Sequence, residues 1–186
     1  MEDSGIIALY WARDQEAIRE TSEKYGAYCG SIAQNILGNR ADAEECVNDT
    51  WLKAWDSMPP QRPAVLSAFL GRITRNLSLN RYHIRAAAKR GGGEAPLVLD
   101  ELAEVVSGGE SVEGALDRRE LIRAVDRFLE RLPPEKRSIF LCRYWYFDPV
   151  AEIAARFGRT ENSVAVILSR LRQKLRRELL EGGFAL

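Results

Sequence analysis

An all-α chain made of two small helical domains follows from three features of the sequence. Apolar residues recur at i, i+3, i+4 and i+7 through most of the chain, which puts them on one face of a helix. The tract from Asp148 to Arg177 parses as two helices joined by a tight turn. Between the halves, Glu94 to Glu113 is acidic and rich in small residues, with Gly108-Gly109 interrupting it, so it reads as a flexible linker. The expected boundaries are a first domain over 1–92, a linker over 93–115 and a second domain over 116–186.

In chain order, a helix is expected around Ile6 to Arg13, then a longer one from Gln15 towards Leu37, with Ile18, Tyr25, Ile32, Ile36 and Leu37 as packing positions. Asn39-Arg40-Ala41 reads as a turn. A third helix runs from about Asp42 to Trp55, with Val47, Thr50, Trp51, Ala54 and Trp55 on one face and Glu44, Glu45, Asn48, Asp49 and Lys53 on the other. Its acidic first turn suits the positive end of the helix dipole. The polar face is either a solvated surface or an interface.

Pro59, Pro60 and Pro63 fall within five residues and force a loop, since proline is excluded from helix interiors and restricts the residue before it. The next helix, about Ala64 to Arg90, carries Leu66, Phe69, Leu70, Ile73, Leu77 and Tyr82 as its buried side and exposes Arg72, Arg75, Asn76, Asn80, Arg81 and Arg85. Basic, amide and aromatic side chains together suit melted nucleic acid, whose bases stack and whose phosphates need neutralising. This helix ends at Gly91-Gly92-Gly93. Within the linker, Leu97, Val98, Leu99 and Leu102 lie along a partner or form a local apolar patch. Leu116, Leu121, Ile122, Val125, Phe128 and Leu129 then define a helix, Pro133-Pro134 break it, and Glu135 to Tyr146 form another.

In the last tract Asp148 reads as an N-cap with Pro149 at the first helical position. Val150, Ile153, Ala154 and Phe157 make one stripe, and Gly158 can take the left-handed conformation that closes a helix. Thr160 caps a second helix whose stripe is Val164, Leu168, Leu171 and Leu175, with Arg170, Arg172, Lys174, Arg176 and Arg177 on the remaining faces. A short capped helix, a glycine turn and a longer basic helix have the geometry that lays a recognition helix in the major groove.

The 186 residues are 46% hydrophobic and 29% charged, the balance of a globular protein with a real core. The formal net charge of zero hides segregation: Arg62 to Arg90 holds seven Lys or Arg and no acid, Glu94 to Glu120 eight acids against two arginines, and Arg156 to Glu178 seven bases against two acids. Local basic patches of this kind are what a polyanion senses. No apolar run reaches the roughly 18 residues of a bilayer span, and Glu2 and Asp3 interrupt any signal pattern, so a cytoplasmic protein without membrane insertion is expected. Cys29, Cys46 and Cys142 form no CxxC pair and read as core residues. His83 stands without a ligand set, and neither a nucleophile-and-base motif nor a phosphate-binding glycine loop is present, so no catalysis, metal or cofactor is expected.

The tract Asp42-Ala43-Glu44-Glu45-Cys46-Val47-Asn48-Asp49-Thr50-Trp51-Leu52-Lys53-Ala54-Trp55, then Ala68-Phe69-Leu70-Gly71-Arg72-Ile73-Thr74-Arg75-Asn76-Leu77, then Leu132-Pro133-Pro134-Glu135-Lys136-Arg137 and the helix-turn-helix resemble, in order, sigma factors of bacterial RNA polymerase. The resemblance is to the compact extracytoplasmic-function group of the sigma-70 family. It implies that the acidic helix docks on the clamp helices of the largest polymerase subunit, through Glu45, Asn48, Asp49, Lys53 and Trp55. It implies that the proline loop and basic helix melt the minus-ten promoter element and capture an extruded base, through Gln61, Arg62, Arg72, Arg75, Asn76, Asn80 and Arg81. The helix-turn-helix would read the minus-thirty-five element, with Arg159, Thr160, Asn162, Ser163, Ala165, Val166, Ser169, Arg170, Arg172 and Lys174 as candidates. The linker matches a segment threaded through polymerase channels, and an inhibitory anti-sigma partner belongs to the same expectation.

The sequence departs from that pattern at Ala165-Val166-Ile167, where many relatives carry Lys-Ser-Arg. These residues cannot donate hydrogen bonds to base edges and offer only apolar contact, for instance to thymine methyls. Readout then rests on Arg159, Asn162, Ser163, Ser169 and Arg170, on phosphates and DNA shape, or the apolar patch binds protein. The same residues also fit a stand-alone regulator that binds an operator through its helix-turn-helix, or a protein-binding adaptor of two helical bundles.

Overall fold

The computed structural model describes residues 1–86, 93–106 and 115–184, without the side chains of 86, 106 and 115–118. Among these the chain is helical throughout: α1 (Asp3–Trp11), α2 (Glu16–Leu37), α3 (Arg40–Ser57), α4 (Leu66–Ala86), α5 (Ala95–Val106), α6 (Ala115–Arg131), α7 (Pro134–Tyr144), α8 (Val150–Phe157) and α9 (Glu161–Glu181). It divides into two compact units, Met1–Ala95 and Pro96–Leu186. The expected helix end at Gly91-Gly92 and the Gly108-Gly109 interruption lie outside the described residues.

In the first unit α1 to α4 bury Ile6, Tyr10, Trp51, Met58, Leu66 and Leu70 in one core. The three helices expected to start at about Ile6, Gln15 and Asp42 start at Asp3, Glu16 and Arg40. The second helix ends at Gly38, whose φ of 63° closes it, and Asn39, expected in a turn, caps α3 by accepting from the Asp42 amide at 3.1 Å. The third helix therefore begins at Arg40 and not at Asp42. Asp42 is buried and paired with Arg85, so it ties α3 to α4 in addition to sitting in the first turn.

A seam of small polar groups joins α3 to α4. Thr50 and Thr74 share a hydrogen bond at 3.1 Å, and Cys46 Sγ lies 3.1 Å from Ser78 Oγ. Each threonine oxygen also lies in hydrogen-bond reach of a carbonyl of its own helix, Cys46 O at 2.8 Å and Leu70 O at 3.0 Å. With one proton per hydroxyl, one threonine donates to its carbonyl and the other to its neighbour's oxygen. Buried hydroxyls are tolerated when bonded in this way, and their small size lets the helices approach.

The second unit buries Phe128, Ile139, Phe140, Phe147, Ile153, Val164, Leu168, Leu171, Leu175 and Leu179. The helix-turn-helix takes the expected form, with Gly158 at φ 60° after α8 and Thr160 Oγ1 accepting from the Ser163 amide at 3.2 Å. The start of α8 differs. Pro149 precedes it as the cap residue and makes no side-chain cap bond. Asp148 is instead buried with its carboxylate 2.8 Å from Arg156 Nη1, which supplies the countercharge a buried carboxylate needs.

The linker expectation needs revising for residues 95–106, which form α5. Leu102 and Val105 line an apolar cavity of about 350 Å³ together with Leu121, Val125, Phe140 and Leu175. Of the two readings of these leucines, the local apolar patch is the one observed here. Leu97 stays exposed.

Candidate nucleic-acid and polymerase interfaces

Helix α4 buries Leu66, Phe69, Leu70, Thr74 and Ser78, and the opposite side is polar. Arg72, Asn76 and Asn80 follow one another at i, i+4 and i+8 and are all exposed, which makes a single ridge of a cation and two amides. Arg75 lies beside it, half-buried, and loss of hydration pushes its pKa down from the ordinary guanidinium value. Arg81 is differently employed. Its Nη1 lies 2.8 Å from Glu45 and its Nη2 2.7 Å from Asp49, and the hydrogen bond with Glu45 above all raises its pKa. Two residues expected to contact polymerase therefore engage one expected to contact DNA, and the cluster keeps one net negative charge.

The proline loop turns back through Gln61 N, which donates to Ser57 O at 3.0 Å. Gln61 and Arg62 are exposed, and the Arg62 guanidinium stands 5.6 Å over the ring of Trp11. Trp11, at the end of α1 and 41% exposed, was not among the sequence-predicted residues; an aromatic breaking out of a short apolar helix is a weak signal beside four tryptophans in the chain. On α3, Glu45, Asn48 and Lys53 are exposed and Asp49 partly so. Trp55 is half-buried, with Tyr10 6.1 Å away, Arg13 5.3 Å over its ring and Arg13 Nη1 donating to its carbonyl at 2.9 Å, so it packs as much as it presents.

The recognition helix α9 buries Val164, Leu168, Leu171, Leu175 and Leu179. Asn162, Ala165, Val166 and Arg170 are exposed, with Ser163 and Ser169 at the edge of that face. Thr160 serves as the cap. Arg159 is engaged in a two-bond pair with Glu135, Nε to Oε1 at 2.8 Å and Nη2 to Oε2 at 3.0 Å, an exposed pair that a phosphate could exchange with. Lys174 lies 3.8 Å from Glu178 and 5.9 Å from the Phe128 ring centre. Arg172 is only 12% exposed and is held by Tyr144, Glu101 and Glu104, so it faces inward. The structure thus brings Asn162, Ser163, Ala165, Val166, Ser169 and Arg170 onto one accessible face and leaves Arg172 off it.

The three cysteines are buried and unpaired, and burial pushes the Cys29 thiol up to about 11. No group of His, Cys, Asp and Glu among the described residues could hold a metal ion. No helix among them is long and apolar enough to cross a membrane.

The family model Sigma-70 region 2 matches residues 23–90, spanning α2 to α4. Sigma-70, region 4 matches residues 122–175, from α6 into α9. The chain is 32% identical to the ECF RNA polymerase sigma factor SigJ of Mycobacterium tuberculosis over 77% of its own length, and it spans 45% of that relative. It is 24% identical to the ECF RNA polymerase sigma factor SigW of Bacillus subtilis, with 89% of this chain and 90% of the relative aligned. A third relative, the ECF RNA polymerase sigma factor SigE of Mycolicibacterium smegmatis, is 27% identical over 94% of this chain and 67% of its own. With regions 2 and 4 in order on two helical units, the chain belongs to the sigma-70 family, in its extracytoplasmic-function group.

Proposed function

We propose that this protein is a sigma factor that binds core RNA polymerase, directs it to particular promoters and helps open the DNA. The observation that carries the reading is that each matched segment leaves one helix face unburied and chemically suited to nucleic acid: Arg72, Asn76 and Asn80 on α4, and Asn162, Val166, Ser169 and Arg170 on α9. A stand-alone operator-binding regulator would need only the second of these.

In this reading the first unit supplies polymerase binding and minus-ten recognition and the second supplies minus-thirty-five recognition. Arg62 and Arg72 neutralise phosphates of a melted strand, and Gln61, Asn76 and Asn80 offer amide donors and acceptors to an unpaired base. Unpairing costs a few kcal/mol per base, which capture offsets. Arg81, tied to Glu45 and Asp49, keeps the polar rim of α3 in place and does not reach for DNA. Asn48 and Lys53 are then the freest polymerase contacts on α3, facing the clamp helices of the largest subunit. At α9, Asn162 can pair with an adenine edge, Ala165 and Val166 can cover a thymine methyl, and Arg170 holds a phosphate. The work is positioning and binding, without bond-making chemistry, and belongs in the cytoplasm; an anti-sigma factor is the expected regulator.

Gel filtration of the chain with purified core polymerase tests this. Co-elution at a one-to-one ratio, lost on Asn48→Ala with Lys53→Glu, is the expected result. A chain that never joins the polymerase peak yet footprints duplex DNA alone would make it an operator-binding regulator.

A further inference from the structure

Helix α5 carries an acidic edge, Glu101 and Glu104, and an apolar edge, Val98, Leu102 and Val105. Both edges are matched by the second unit. Glu101 accepts from Arg143 Nη2 at 2.6 Å and Nε at 3.2 Å, from Tyr144 Oη at 2.9 Å and from Arg172 Nη1 at 3.3 Å. Glu104 accepts from Arg172 Nε at 3.0 Å. Arg176 Nη1 donates to the carbonyls of Glu104 at 2.7 Å and Val105 at 3.3 Å. That places a cation on the carbonyl end of α5, where the helix dipole and the unsatisfied carbonyls both favour it. On the apolar side Leu102 and Val105 face Leu121, Val125 and Phe140 across the open apolar cavity.

We infer that the Arg143–Tyr144–Arg172–Arg176 flank of the second unit is a docking surface for an acidic helix, and that α5 occupies it as a strap that competes with DNA phosphates for the recognition helix. Five cations, Arg170, Arg172, Lys174, Arg176 and Arg177, lie on α9. The strap takes Arg172 and Arg176 out of that series, and its carboxylates stand where a phosphate backbone would otherwise approach them. The surface and its occupant fit in charge, in hydrogen bonding and in apolar contact at once. The contacts to Glu101 and Glu104 are mostly side chain to side chain and Glu104 is 66% exposed, so the strap can leave without removing a residue from the core of Phe128, Leu168 and Leu171.

This inference rests on reading α9 as a DNA-facing helix. Its test uses the full chain and a duplex of arbitrary sequence without polymerase, so it fails separately from the sigma reading. The double variant Leu102→Asn with Val105→Asn removes the apolar anchors and leaves the net charge unchanged. Amide exchange on α5 reports docking, and the slope of log affinity against log salt reports how many phosphates are neutralised. The parent should protect the α5 amides. The variant should expose them and steepen the salt slope by about 1.8, the value for two further phosphate contacts. Unprotected α5 amides in the parent, or exposed α5 amides in the variant with an unchanged slope, would overturn the proposal.

Discussion

Gly158 sits at the point where the two helices of the helix-turn-helix change direction, with φ 60° and ψ 37°. A Cβ added there meets no heavy atom within 4 Å, so Gly158→Ala carries no clash and its whole effect is backbone strain. A non-glycine residue in the left-handed region costs roughly 1–2 kcal/mol. Alanine also narrows the unfolded ensemble, which returns something under about 1 kcal/mol, so the net loss is about 1 kcal/mol. For a unit of this size that corresponds to about 4–8 °C in Tm. Gly158→Asn should lose less, since asparagine tolerates this conformation. Thermal unfolding followed through α9 amide signals measures the shift, and the α2 signals of the first unit serve as the internal control. An equal loss for alanine and asparagine would refute the strain argument, as would a loss that spreads to α2.

Three further outcomes are expected. Arg81→Ala should destabilise the first unit by about 1 kcal/mol at most, because its partners Glu45 and Asp49 are 65% and 41% exposed and solvent screens such pairs; its affinity for single-stranded DNA should stay that of the parent, and a fall like that of Arg72→Ala would return Arg81 to the minus-ten surface. Cys29 has a folded pKa of about 11 against 9.0 for a free thiol, so the folded state holds the proton more tightly and this contribution to stability is complete below pH 9 and declines as pH rises towards 11. Urea titrations at pH 8 and pH 10.5 should therefore show a loss at the higher pH that Cys29→Ala reduces, and an identical loss in the variant would assign the effect elsewhere. Arg170→Ala should weaken minus-thirty-five binding across sequences, whereas Asn162→Ala should change the preference among them; equal effects of both on every promoter would contradict the division between phosphate and base contact.

Most of the helices were legible because apolar periodicity and the glycine and proline breaks agreed. The Gly158 turn and the Thr160 cap needed only the residue types that those positions demand. Helix starts were less legible. Asn39 and Asp148 are both good caps by type, but only Asn39 caps, while Asp148 pairs with Arg156 at the other end of α8. The interfaces followed the same division. Exposed positions such as Arg72, Asn76, Asn162 and Arg170 could be read from helical phase alone. Arg81 and Arg172 could not, since their carboxylate partners sit on other helices, and Trp55 is covered by α1. Helix α5 was hidden by its composition: an acidic, small-residue stretch looks like a linker until Arg143, Arg172 and Arg176 supply the countercharge.

Promoter-specific initiation by this protein can be measured by in vitro transcription. Purified core polymerase would be assayed on genomic fragments with and without the protein, mapping transcript starts. Starts that appear only with the protein and share two upstream elements are the expected result. Core polymerase that initiates at the same sites whether or not the protein is present, while the protein alone footprints duplex DNA, would contradict it.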